Sequence, residues 1–168
     1  MSLTMHSASV PVFSHGLGAM LTWLDKAQAH AEVRKFDSAN YLGLRLAPDM
    51  LPFKSQIQIA TDMVKGCVAR LAGQDVPSWE DKEATLAELR ARVQKTIDYV
   101  GGFSAAQIDG SEAREIVLPT RTGDPFRFSG ENYLKQFVLP NFYFHSAMTY
   151  ALLRHAGVEL GKRDFLAL

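Results

Sequence analysis

The chain has 168 residues, a length that fits one domain spanning residues 1–168. Its 18 Lys and Arg against 18 Asp and Glu leave no net charge, which excludes the basic surface of a general nucleic-acid binder. Hydrophobic residues at 47% argue against disorder, and a lone cysteine, Cys67, excludes an internal disulfide or a thiolate zinc cluster within one chain.

The opening MSLTMHSASVPVF has no basic stretch ahead of its apolar residues, unlike a secretory signal. Nowhere do about 18 apolar residues run uninterrupted. A cytoplasmic chain with a reduced thiol and no membrane or nucleic-acid partner is the expectation.

Helical periodicity dominates. Val10, Phe13, Leu17, Met20, Leu21 and Leu24 follow a three-and-four spacing that predicts a helix from Val10 to Val33, with Pro11 in its first turn. A link follows from Phe36 to Pro52, with a short helix expected over Asn40–Leu46. Phe53, Ile57, Ala60, Val64, Val68 and Leu71 then share a narrow arc at 100° per residue, predicting a helix over Phe53–Leu71 that Gly73 stops. In VPSWED, Ser78 is the expected N-cap of a third helix, with Glu80 and Asp81 at the positive end of its dipole. Leu86, Leu89, Val93, Ile97 and Val100 form its buried stripe, and Gly101-Gly102 end it.

The period then changes. Ile116 and Leu118, then Phe126 and Phe128, flank the turn signal Thr122-Gly123-Asp124-Pro125 and predict a short two-stranded hairpin. Ser129 is expected to cap a last helix running from Gly130 to His155, stopped by Gly157 and kinked at Pro140. The sum is an all-α four-helix bundle with a short β-hairpin before the last helix.

The last helix carries the chemistry. Its stripe runs through Leu134, Phe137, Val138, Met148 and Leu152, and Asn141 and His145 lie in the same arc one turn apart. Buried polar groups need partners, so His145 is either a core histidine bonded to Asn141 or a carbonyl, or part of a ligand pocket or metal site. Thr149, a turn further on, is placed to bond into the same cavity. Other candidates have simpler readings. His6 and His15 fall near the N-terminus, on the surface or as local caps. His30 and His155 sit at helix C-terminal ends, where a cation suits the dipole. Asp62 lies opposite the stripe of its helix and reads as a solvated carboxylate. Cys67 reads as an inert packed thiol, and the aromatic run 142–144 as packing against helices or a second subunit. No phosphate-binding Gly-rich loop, GxSxG or HExxH occurs.

The ending HSAMTYALLRHAGVELG resembles the HRGQ…LLRQLG-type ending of the DinB/YfiT-like superfamily of bacterial four-helix bundles. The stretches ASVPVF, ARLAG and LPNFYFH resemble more closely an uncharacterised bacterial branch, a domain of unknown function. The resemblance implies an up-down-down-up helix order, frequent dimers and, in many members, a metal held by three histidines. Some members are thiol-dependent transferases or isomerases. Carried over residue by residue, the H-x-x-x-H of the last helix falls on Asn141 and His145. The third ligand falls in the second helix, on Gln56 by the helical wheel or on Gln58 by the spacing to Gly73. Neutral carboxamides are weak ligands for zinc or nickel, so no tight metal and no cofactor are expected, only a weakly bound divalent ion with His145 as its one imidazole.

Two functions follow. One is a metal-free binding or structural homodimer with a small polar inter-helix pocket at Gln56, Gln58, Asn141, His145 and Thr149, open to a small-molecule ligand. The other is a thiol-dependent transferase or isomerase, or a hydrolase, with His145 as metal ligand or general base.

Overall fold

The structure, a computed structural model, describes residues 3–120 and 122–168; Met1, Ser2 and Arg121 lie outside the described residues. Helix α1 covers Val10–Arg34, with Pro11 in its first turn. Lys35 closes it in the left-handed conformation (φ 57°), its N–H donating to the Ala31 and Glu32 carbonyls. Helix α2 covers Phe53–Leu71, the bounds expected from its periodicity. All six residues of its predicted stripe are buried, and so are Gln56, Gln58, Thr61, Lys65, Cys67 and Ala69. It is therefore enclosed on most sides, and its polar side chains must find partners inside the molecule.

The link between these helices differs from expectation. A 3₁₀ turn at Ser38–Tyr41 replaces the helix expected over Asn40–Leu46. The Asp37 carboxylate accepts from the Ala39 N–H at 2.8 Å and starts the turn two residues early.

Helix α3 covers Leu86–Gly101, capped by Thr85 and not by Ser78. The Thr85 hydroxyl accepts from the Glu88 N–H at 3.1 Å, and the Glu88 carboxylate accepts from the Thr85 N–H at 3.0 Å. This reciprocal box satisfies two of the free N–H groups at the helix start, which Ser78 does not. Residues 78–84 instead run without regular structure. Their Trp79 ring lies under the Lys65 and Lys95 ammonium groups, 4.6 and 4.3 Å from its centroid.

A short helix α4, Ala105–Ile108, leads to the hairpin of β1, Glu115–Leu118, and β2, Phe126–Ser129. The strands pair antiparallel with Ile116 opposite Phe128 and Leu118 opposite Phe126. Ile116 and Leu118 face inward while Glu115 and Val117 face solvent, the period-two pattern of a half-buried strand. The Ser129 hydroxyl then accepts from the Asn132 N–H, as expected of the cap.

Helix α5, Gly130–Asn132, runs without interruption into a π-helical stretch, Tyr133–Val138, and on into α6, Leu139–His155. The π-helical stretch lies directly ahead of Pro140, where the carbonyl ladder must adjust to the missing N–H. A C-terminal helix α7, Lys162–Leu166, packs back on α1.

The four long helices form a ring in which α1 touches α3 and α6, and α2 touches α3 and α6. Consecutive helices α1 and α2 therefore lie on a diagonal, as an up-down-down-up order requires. Phe13, Trp23, Phe53, Leu89 and Phe142 are among the largest side chains in the shared core. No helix among the described residues is long and apolar enough to cross a membrane.

The two candidate caps make opposite predictions. Thr85→Ala should destabilise the fold by about 1 kcal/mol, whereas Ser78→Ala should leave it nearly unchanged. Urea denaturation of both variants separates them, and equal costs would contradict the assignment of Thr85.

Candidate functional site

His145 on α6 is buried, and its Nδ1 lies 2.8 Å from the Gln56 Oε1 on α2. Gln56 is itself fixed from the other side, its Nε2 donating to the Leu51 carbonyl at 2.9 Å. A carbonyl only accepts, so the Gln56 amide turns its NH₂ toward Leu51 and its oxygen toward His145. That oxygen also only accepts. The His145 Nδ1 must therefore carry the proton, leaving Nε2 with the lone pair in the neutral ring. Burial holds the His145 pKa below the ordinary imidazole value, so the neutral ring is the favoured form. The Phe144 ring stands edge-on to the imidazole at 5.1 Å.

The other predicted pocket residues go elsewhere. The Asn141 Nδ2 donates to the Phe137 carbonyl at 2.6 Å, one turn back on its own helix. The Thr149 hydroxyl donates to the His145 carbonyl at 2.9 Å and is buried there. Gln58 points to another face of α2 and donates to Glu83 at 2.8 Å. The side-chain bond thus joins His145 to Gln56, the residue the helical wheel favours, and not to Gln58 or Asn141.

Gln58 belongs to a network centred on Arg92, which the periodicity did not single out. Arg92 sits in the buried arc of α3 at 4% exposure. Its Nε donates to the Thr61 hydroxyl at 2.8 Å, Nη2 to Asp62 at 3.0 Å, and Nη1 to Glu83 and Asp81, both at 2.9 Å. Lys65 also donates to Asp62, at 2.7 Å. Asp62, expected as a solvated carboxylate, keeps 36% of its side chain exposed but is paired with a buried guanidinium and a buried ammonium. Burial alone would push the Glu83 carboxyl up, but hydrogen bonds from Gln58 and Arg92 hold it below its ordinary value. One sequence signal marks this network: Arg92 interrupts an otherwise apolar arc between Leu89 and Val93, and a charge there demands carboxylates.

The remaining histidines stand apart. The His6 Nε2 lies 3.2 Å from the Phe103 carbonyl, and the His15 Nε2 lies 2.8 Å from that of Leu166. His30 meets the Tyr41 hydroxyl at 2.6 Å between aromatic rings, and His155 is exposed at the end of α6. Burial drives the Cys67 pKa up, which keeps it a packed thiol. Among the described residues, no three His, Cys, Asp or Glu side chains are grouped to hold a metal. A three-imidazole site does not fit this centre: His145 is its one imidazole, and the Gln56 oxygen is already engaged as the acceptor for Nδ1.

The imidazole gives a signed pH dependence. With the folded-state pKa of His145 below about 6.5, unfolding takes up a proton between the two values. Its contribution to stability is complete above about pH 6.5 and is lost as pH falls through the folded-state value. His145→Gln should flatten the change in unfolding free energy between pH 7.5 and pH 5. Gln56→Glu should instead raise the His145 pKa above its ordinary value by placing a carboxylate on Nδ1. Proton NMR titration of the ring reads the second effect, and an unmoved pKa would break the assigned contact.

The chain has relatives. The family described as "Domain of unknown function (DUF1993)" matches residues 5–166. A crystal structure of a DinB family member protein from Shewanella denitrificans is 39% identical, with a TM-score of 0.86, over 96% of this chain and 90% of that one. Comparison with curated proteins gives no match.

Proposed function

This chain belongs to the DUF1993 family of DinB-like helical proteins, and on that premise we propose that it is a metal-free binding or structural protein. It works as a cytoplasmic homodimer, with His145 presenting one ring nitrogen to a small-molecule ligand in a polar space between α2 and α6. The observation that carries this reading is the relay from the Leu51 carbonyl through Gln56 to the His145 Nδ1. It fixes one tautomer and leaves Nε2 as an oriented acceptor for a ligand N–H or O–H. The Gln56 carboxamide serves as a hydrogen-bonding partner of the imidazole, where the superfamily's metal-binding members use a ligand. Any divalent ion is then held weakly, with His145 as its sole imidazole.

Dimerisation draws support from Tyr143 and Phe144, 45% and 52% exposed side by side on α6. Two large exposed aromatic side chains in one turn of a helix are the kind of surface a second copy would cover.

A second reading has one observation in its favour. Burial keeps the His145 imidazole neutral, the form a general base requires, so a transferase, isomerase or hydrolase using Nε2 is the alternative. His145→Asn should then abolish turnover of a responsive thiol or ester substrate while the fold persists.

Metal content tests the main reading. Purified protein should hold well under one equivalent of zinc or nickel, removable by mild chelation without unfolding. One tightly held ion per chain in elemental analysis would overturn the metal-free assignment. Light scattering should give a dimer mass, and a monomer mass over a wide concentration range would remove the dimer.

A further inference from the structure

A half-enclosed cavity of about 380 Å³ lies between α1, α6 and α7, lined by neither Gln56 nor His145. Val12, Trp23, Phe142, Phe165 and Leu166 give it a mainly apolar wall, and no Lys, Arg, Asp or Glu lines it. That volume falls within the range of small-molecule sites.

Its walls are anchored. A Cβ on Gly16 would lie 2.8 Å from the Phe142 ring, so this ring of α6 rests directly on the bare backbone of α1. The outer wall, α7, is held at three points. The Trp23 Nε1 donates to the Asp164 carbonyl at 2.9 Å, Lys26 donates to the Asp164 carboxylate at 2.6 Å, and His15 meets the Leu166 carbonyl. The Phe165 ring also stacks on Trp23 with centroids 5.4 Å apart.

Ser146 supplies the second, independent observation. It lines the cavity at 3% exposure, and its hydroxyl has no hydrogen-bond partner among the described residues. Elsewhere in these helices such hydroxyls bond back to a carbonyl one turn earlier, as Thr96 does to Arg92 and Thr149 to His145. A buried hydroxyl left unpaired is costly, and whatever enters the cavity can satisfy it.

We propose that this cavity binds a small neutral amphiphile, such as an alcohol, phenol or ketone, with its apolar body against Trp23, Phe142 and Phe165. The ligand oxygen pairs with the Ser146 hydroxyl. Neutrality follows from the lining, whose one basic side chain, His15, is engaged with the Leu166 carbonyl and which has no Lys, Arg, Asp or Glu. Smallness follows from the depth of Ser146, because a flat protein surface laid over the mouth would not reach a hydroxyl 3% exposed.

Trp23 is one of two tryptophans, so Trp79→Phe leaves it as the only indole and a reporter inside the cavity. In that background 1-octanol should change Trp23 fluorescence saturably, and octanoate should bind far more weakly. Ser146→Ala, which removes one oxygen and leaves the packing, should weaken octanol about fivefold. Its thermal melting is followed alongside to establish the fold. No saturable change up to the solubility limit of octanol would overturn the proposal. Equal affinity of the Ser146→Ala protein, or octanoate binding as tightly as octanol, would overturn it too. The His145–Gln56 reading stands or falls separately, since neither residue lines this cavity.

Discussion

Arg92 carries a full positive charge at 4% exposure, and a guanidinium in that position has to be enclosed by acceptors. The enclosure comes from two parts of the chain: Thr61 and Asp62 on α2, and Asp81 and Glu83 in the irregular stretch between α2 and α3. An ion network of this kind adds little net stability compared with well-packed apolar side chains, because desolvation consumes most of the Coulombic gain. Its effect is positional. The 78–84 stretch has no helix or strand of its own to place it, so the charges on Arg92 hold it against the bundle. Trp79 is then set between two lysines, and Gln58 is drawn toward Glu83 and away from His145.

The apolar arcs were readable because each belongs to one helix and repeats with the helical period. Phe53 to Leu71 and the hairpin around Ile116 and Phe128 emerge from local pattern alone. The start of α3 was misread for a physical reason. Ser78 followed by Glu80 and Asp81 looks like a cap with its acidic turn, yet Asp81 is bound to Arg92, and the Glu80 carbonyl accepts from it as well. Local signals do not reveal that a residue is claimed by a partner more than ten positions away. Asp62 follows the same logic, since its wheel position is right but its partner Arg92 lies on another helix.

Within the candidate site, the helical wheel was enough to favour Gln56 over Gln58 as the residue facing His145. Asn141 shares the arc of His145, but an asparagine can satisfy itself on a carbonyl one turn back, and it does so with Phe137. The orientation of the Gln56 amide was beyond any pattern in the sequence. It depends on the Leu51 carbonyl, a backbone group in the turn before α2, and through it on the path of the whole preceding link.

The π-helical stretch at Tyr133–Val138 sets the phase of everything that follows it on α6. A wide turn accommodates an extra residue, so relative to uninterrupted α-helix the downstream face is rotated by about 100°. That offset is the angular separation between helical neighbours, enough to decide that His145, and not Phe144 or Ser146, meets Gln56. Deleting one residue there would remove the wide turn and leave α6 in its present phase, whereas regular winding at the present length would carry each side chain of α6 to the azimuth of its neighbour. The stretch thus acts as a phase adjuster, letting the chain carry one more residue ahead of Pro140 while the imidazole of His145 stays opposite Gln56.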